Sequence, residues 1–347
     1  MTDGTQALWW ISGFVPFVLA ALSGGVTGQW LRHHGMVDQP DQARRLHADV
    51  TPRGGGVLIA AGLWSALIIQ WGVFGAGGFV WPLVVFVLAA TGMGWLEDLE
   101  PRPIRFRLLA QFGLALGVWL WLGAIETVGL GQWHWGSPWL WSILGVVAIV
   151  WLMNLHNFMD GADGLATAQG IWSGACYAWL FGTAGYLSWA LLAVALAGGC
   201  AGFLIWNRPV AKLFMGDSGS LLLGGLVGLF AYHAVSSGAA SLMVCLMISA
   251  VFVVDATATL LWRIGCGQRW YTAHACHAFQ RLIAGGLSHA QVLVVYVALN
   301  IGLVLPALTG AVFWPGHEAW LGMGLFSALI FGWWRVQRRT EKLGPEG

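Results

Sequence analysis

Charge is what this chain has least of: only 9% of its 347 residues are Asp, Glu, Lys or Arg, whereas a soluble domain carries about a quarter. Set against 58% hydrophobic residues, that scarcity excludes a water-soluble globular domain and predicts a polytopic membrane protein. The net charge of +1 offers no basic field for a nucleic acid, so no nucleic-acid partner is expected and the basic residues inform by position alone. Cysteine is sparse too. Cys176, Cys200, Cys245, Cys266 and Cys276 form no CxxC pair and no metal-ligand spacing, which leaves core residues or free thiols. The first apolar run follows Met-Thr-Asp-Gly-Thr-Gln, without a basic stretch before it or a small-residue cleavage site after it, so it reads as a retained span. No internal repeat or low-complexity tract interrupts the rest, and residues 1–347 read as one domain.

With about twenty apolar residues per crossing, spans are expected near 7–29, 54–73, 79–95, 107–129, 137–153, 165–183, 186–206, 219–237, 240–263, 291–313 and 319–335. The fold class is therefore an all-α bundle of about eleven transmembrane helices. All 16 Lys and Arg residues fall after odd-numbered spans. By the positive-inside rule that side is cytoplasmic, the N-terminus is outside and the C-terminus inside. Many of the 24 tryptophans flank predicted span ends, where aromatic belts sit.

Polar residues concentrate in five clusters on the expected cytoplasmic side. The densest is Asn154-Leu-His-Asn157-Phe-Met-Asp160-Gly-Ala-Asp163-Gly-Leu-Ala. A carboxylate at the centre of a span costs roughly 2.5–3.5 kcal/mol, so Asp160 and Asp163 belong at a watery mouth or on a ligand. A second cluster, Asn207-Arg-Pro-Val-Ala-Lys212-Leu-Phe214-Met-Gly-Asp217-Ser-Gly-Ser, follows one hairpin later. Asp217 is a hard oxygen ligand beside glycine and serine with Arg208 and Lys212 upstream, a composition that suits magnesium on a diphosphate. Phe214 serves either packing or stacking on a base. Arg53-Gly-Gly-Gly offers backbone N–H groups to a phosphate, or is a basic anchor at a helix entry. Glu97-Asp98, with Arg105 and Arg107 behind, is an acidic pair for a cation or a general base, or a mixed-charge interfacial turn. His274-Ala-Cys-His277, followed by Arg281, gives too few ligands for structural zinc and suits contact with phosphate. Asp255, deep in the ninth span, either pairs with a polar group inside the bundle or lines the cavity, and the structural role is the favoured one.

Taken in this order, with Asn154-x-x-Asn157-Phe-Met-Asp160-Gly-x-Asp163-Gly-Leu-Ala and Phe214-Met-Gly-Asp217-Ser-Gly-Ser nearly intact, the clusters resemble the polyprenyl-phosphate N-acetylhexosamine-1-phosphate transferase family over about 32–282. The resemblance implies a magnesium-dependent enzyme, with manganese as an alternative ion, working at the cytoplasmic face of the bacterial inner membrane. Its substrates would be a UDP-amino sugar and a polyprenyl phosphate; a homodimer is one open assembly state. It implies Asp217, with Asn157, at the metal, and Glu97, Asp98, Asp160, His274 and His277 with Asp217 in catalysis. Substrate binding would fall to Arg53, Arg105, Arg107, Asn154, Asn157, Asp163, Asn207, Lys212, Phe214 and Arg281.

Two departures bear on the branch. Glu97-Asp98 stands where the family usually has Asp-Asp, and His274-x-x-His277 precedes Phe-Gln-Arg where the muramoyl-pentapeptide branch has consecutive histidines. The loop looks more like the amino-sugar branch that starts O-antigen or exopolysaccharide chains, with the pentapeptide transferase as the alternative. A transporter, the rival of another class, would show midplane polar sites and two related halves.

Overall fold

A computed structural model describes residues 3–38, 50–75, 79–130, 133–269 and 275–340. Helices form where the apolar runs are: α1 (Asp3–His33), α2 (Val57–Phe74), α3 (Val80–Leu99), α4 (Ile104–Leu122), α5 (Pro138–Met159), α6 (Leu165–Thr183), α7 (Leu187–Asn207) and α8 (Asp217–Ser236). Next come α9 (Leu242–Ile248), α10 (Ala250–Gly265), α11 (Ala278–Ala284), α12 (His289–Leu299), a π-helical stretch over Asn300–Val304, α13 (Leu305–Phe313) and α14 (Glu318–Thr340). In lipid a spanning segment must satisfy its backbone internally, and helices do so.

Among the described residues nine helices are long and apolar enough to cross a membrane, with α12 through α13 counted as one. The protein is an all-α polytopic membrane protein. Three expected spans take a different form. The run at 165–183 is helical as α6, but it buries Thr167, Gln169 and Ser173 inside the bundle and is not among the nine. The run at 240–263 is broken: α9 and α10 meet at Ser249 with a bend of 84°, and make a tenth span if counted together. The run at 107–129 ends early, because the chain leaves α4 at Leu122 and enters an antiparallel hairpin, β3 (Thr127–Leu130) with β4 (Trp133–Gly136). A shorter antiparallel pair, β1 (Val37–Asp38) with β2 (Thr51–Pro52), leads into α2.

The helix α8 runs through the middle of the bundle and is buried along nearly its whole length, packed on α3 and α5; α7 packs between α1 and α6. Bonds between elements fix which helix ends meet. At one end Arg53 reaches Asp98 and Asp217, and Arg281 Nη1 donates to Thr340 O at 3.4 Å, which gathers the ends of α3 and α14 with α11 and the start of α8. At the other, Tyr232 Oη donates to Gly123 O at 2.8 Å and Ser241 Oγ to Glu318 Oε2 at 2.9 Å. The described polar clusters lie at the first end.

Candidate active site

The site is built on the start of α8. Gly94, near the end of α3, lies so close to this turn that a Cβ on it would overlap Asp217 O. Gly216 takes a left-handed φ of 73°, and a Cβ there would stand 2.6 Å from Asp98 Oδ2. Glycine at both positions lets the two helix ends touch. The Asp98 carboxylate then accepts the Asp217 N–H at 2.8 Å and the Ser218 N–H at 3.0 Å, satisfying donors at the positive end of α8.

Arg53 arrives from the segment after β2 and lies beside Phe214 in a parallel bridge. Its Nε stands 2.9 Å from Asp98 Oδ1 and its Nη2 2.6 Å from Asp217 Oδ1. Asn157, in the last turn of α5, donates from Nδ2 to Asp217 Oδ1 at 3.0 Å and to Ser220 Oγ at 3.1 Å. Asp217 thus receives a guanidinium and an amide on one oxygen. Burial works to lower the Arg53 pKa, but the charges of Asp217 and Asp98 outweigh it and raise the guanidinium above its usual value. Desolvation pushes Asp160, just beyond α5, well above the usual carboxylate range; Asp217, Asp98 and Asp163 add to the rise and Arg53 opposes it.

The glycine loop, which the sequence leaves as either a phosphate-facing loop or a basic anchor at a helix entry, is bonded to the residues just before α8. Gly55 N–H donates to Phe214 O and Gly56 N–H to Met215 O, both at 2.8 Å, so these groups tie the loop to the Asp217 segment instead of facing a phosphate. Among the described residues no group of three or more His, Cys, Asp or Glu is placed to hold a metal. The donor chemistry suits a hard dication, which takes one or two protein carboxylates and completes its shell with phosphate and water. Asp217, Asp98 and Asp163 raise the Asp160 pKa through their charge and Arg53 lowers it, so several carboxylates stand near one another at this end of the bundle.

The other expected site residues divide into two groups. Lys212 and Arg105 are exposed at the same end, Phe214 and Arg107 are partly exposed, and the Arg105 guanidinium lies 5.0 Å from the Phe106 ring centroid. The remaining ones are buried. Asn154 donates to Gln111 Oε1 at 2.6 Å and to Val150 O at 2.8 Å, and Glu97 Oε2 accepts the Arg102 N–H at 3.1 Å. Asn207, 3% exposed, accepts from Gly164 N and Thr167 Oγ1 and donates to Leu213 O. Asp163 Oδ2 accepts the Ala211 N–H at 3.0 Å, while its own N–H donates to His289 Nδ1 at 3.2 Å. His277 is buried between the Phe158 and Phe279 rings with Nδ1 3.8 Å from Asp255 Oδ1, and Arg281 is buried with its guanidinium 5.9 Å from the Trp262 ring centroid. The sequence places both on phosphate; the packing of α11 against α10 and α14 turns them inward. His274 lies outside the described residues.

Gln111, Ser220 and His289 are polar partners that the sequence alone does not single out. Ser220 stands in a motif that does draw attention; Gln111 and His289 are lone polar residues whose partners are distant in sequence, so no spacing marks them.

Residues 80–235 match the family model for glycosyl transferase family 4. The chain is 30% identical over 310 residues to the phospho-N-acetylmuramoyl-pentapeptide-transferase of Moorella thermoacetica, covering 84% of this chain and 92% of the relative. It is also 30% identical over 363 residues to the decaprenyl-phosphate N-acetylglucosaminephosphotransferase of Mycolicibacterium smegmatis, covering 92% and 86%. The first of these names is the more frequent among the relatives.

Proposed function

Because the chain belongs to glycosyl transferase family 4, the polyprenyl-phosphate hexosamine-1-phosphate transferases, we propose that it transfers an N-acetylhexosamine-1-phosphate from a UDP-amino sugar to polyprenyl phosphate, releasing UMP. The observation that carries this reading is the Asp98–Arg53–Asp217–Asn157 cluster at the start of α8. It sits at the bundle end that gathers the basic residues, where a membrane lipid phosphate and a cytoplasmic nucleotide can meet. By the positive-inside rule that end faces the cytoplasm, at the inner membrane of a bacterium.

In the reaction an oxygen of the lipid phosphate attacks the β-phosphorus of the nucleotide sugar, the bond to the bridging α-phosphate oxygen breaks, and UMP leaves. Magnesium, when bound, supplies charge neutralisation of the diphosphate and of the leaving UMP. Asp217 is the residue to hold it, with Asn157 orienting that carboxylate. Arg53 spans both carboxylates, and its role in this reading is to steady a phosphate oxygen. Asp98 is fixed by two backbone N–H groups and Arg53, so its part is to shape the start of α8. A phosphate monoester is nucleophilic at neutral pH, which favours direct attack over an aspartyl intermediate.

The His-x-x-His loop supports an amino-sugar donor and a place at the start of O-antigen or other surface-polysaccharide synthesis. The frequency of the pentapeptide-transferase name among relatives supports a second reading, with a peptidoglycan precursor as donor. Purified protein assayed for UMP release with polyprenyl phosphate and either UDP-N-acetylglucosamine or UDP-N-acetylmuramoyl-pentapeptide separates the two. Release with the pentapeptide donor alone overturns the amino-sugar reading, and release with neither in the presence of magnesium overturns both.

A further inference from the structure

Asp255 lies on α10, outside the cluster just described, and its carboxylate is the meeting point of several elements. Its Oδ1 accepts the Ala278 N–H at 2.7 Å and the Thr259 hydroxyl at 3.3 Å; its Oδ2 accepts the Phe279 N–H at 3.3 Å and the Tyr296 hydroxyl at 2.5 Å. His277 Nδ1 stands 3.8 Å from Oδ1. The residue is 3% exposed, so it acts on its neighbours and not on solvent. It joins three elements: its own α10, the first turn of α11, and the later turns of α12.

Both α11 and α12 then reach the loop that carries Asp160 and Asp163. From α11, Phe279 lays its ring on Gly161, where a Cβ would stand 2.9 Å from Phe279 Cζ. From α12, His289 accepts the Asp163 N–H at 3.2 Å with its Nδ1 3.4 Å from Asp163 Oδ1. His289 and Tyr296 are two turns apart along one helix face. Asp255 is therefore bonded to both of the elements that touch this loop. On its other side α10 is tied to α5, the helix that bears Asn157, through Trp151 Nε1 to Thr257 Oγ1 at 3.2 Å.

Resting on the transferase reading above, we propose that Asp255 is a positioning residue for the reaction: it clamps α11 and α12 so that Phe279 and His289 hold the Asp160–Asp163 loop in its working geometry. The amides of that loop are protected by bonds to protein, Asp163 N–H to His289 and Gly164 N–H to Asn207, so loosening is measurable without turnover.

The test uses the full chain in lipid nanodiscs, with hydrogen exchange of residues 160–164 and 278–284 read beside UMP release. Asp255→Asn is expected to raise exchange in both segments and to lower kcat by about tenfold or more, with KM for the nucleotide sugar within about threefold. Tyr296→Phe keeps the carboxylate and its two backbone donors, and is expected to raise exchange in 160–164 by a smaller factor. Exchange that rises in 278–284 alone, or throughout the bundle, overturns the clamp, as does an unchanged kcat. If Asp255→Asn does not fold, unchanged exchange at 160–164 in Tyr296→Phe overturns it. A wild-type protein without transferase activity overturns the proposed function, while the exchange measurements still decide whether Asp255 holds the loop.

Discussion

Asp217 receives Arg53 and Asn157 on a single oxygen and is 14% exposed at its side chain, whereas Asn207 is closed off by three internal bonds. The two residues should fail differently. Asp217→Asn is expected to leave insertion and purification unchanged and to reduce UMP release below about a tenth of wild type, since the ligand proposed for the metal of the reacting complex would be lost. Asn207→Ala strands the Gly164 N–H, the Thr167 hydroxyl and the Leu213 carbonyl, and should lower thermal stability by about 1–3 kcal/mol for each buried group left unmet. A thermal melt in detergent checks it; an unchanged Tm would show that water or substrate takes those bonds. Both residues are visible in the sequence for the same reason, as polar side chains in an apolar chain. Which of them faces the solvent and which the backbone depends on a rotamer and on neighbours far along the chain, and that is not written in local spacing.

Helices were legible because apolar runs of spanning length have one stable form in lipid. The break between α9 and α10 was not, since the run is continuous in hydropathy and the bend is sustained from outside it: Trp172 Nε1 and Gln169 Nε2 on α6 donate to Ile248 O at 2.8 and 3.2 Å. The same partnership explains why α6 retains a polar residue at a position where a lipid-facing helix would not. Close approach between elements was likewise invisible, and it can be tested on one helix. Gly94→Ala would drive a methyl into the Asp217 carbonyl, so it should separate α3 from α8 and abolish UMP release. Gly92→Ala, with nothing within 4 Å of the added Cβ, should be tolerated and gain up to about 1 kcal/mol from the better helix former. Equal losses in the two variants would mean that the contact between α3 and α8 is not what the site depends on.

For the whole molecule the question is which side each end faces. The 16 basic residues are predicted to lie on one side, and the bonds of the bundle support that grouping: Arg53 joins the Asp98 and Asp217 ends, and Arg281 joins Thr340 at the end of α14. The beginning of α1 lies at the opposite end, where Trp9 packs against Gly182 near the turn between α6 and α7. Trp9, early in α1, and Thr340, at the end of α14, thus mark different ends of the bundle, the arrangement expected of the odd number of crossings predicted from the sequence. Moving a cluster of Lys and Arg to the outer side costs insertion free energy at every loop, so the orientation with the basic end inside should dominate. A reporter fused after residue 347 is expected to be active only in the cytoplasm, and a cysteine placed at the start of α1 to be labelled by a membrane-impermeant thiol reagent from outside. Labelling from inside together with an outer C-terminal reporter would invert the bundle and put the site on the wrong side for a cytoplasmic nucleotide sugar. Both ends on one side would mean that the bent α9–α10 pair, or α6, does not complete a crossing.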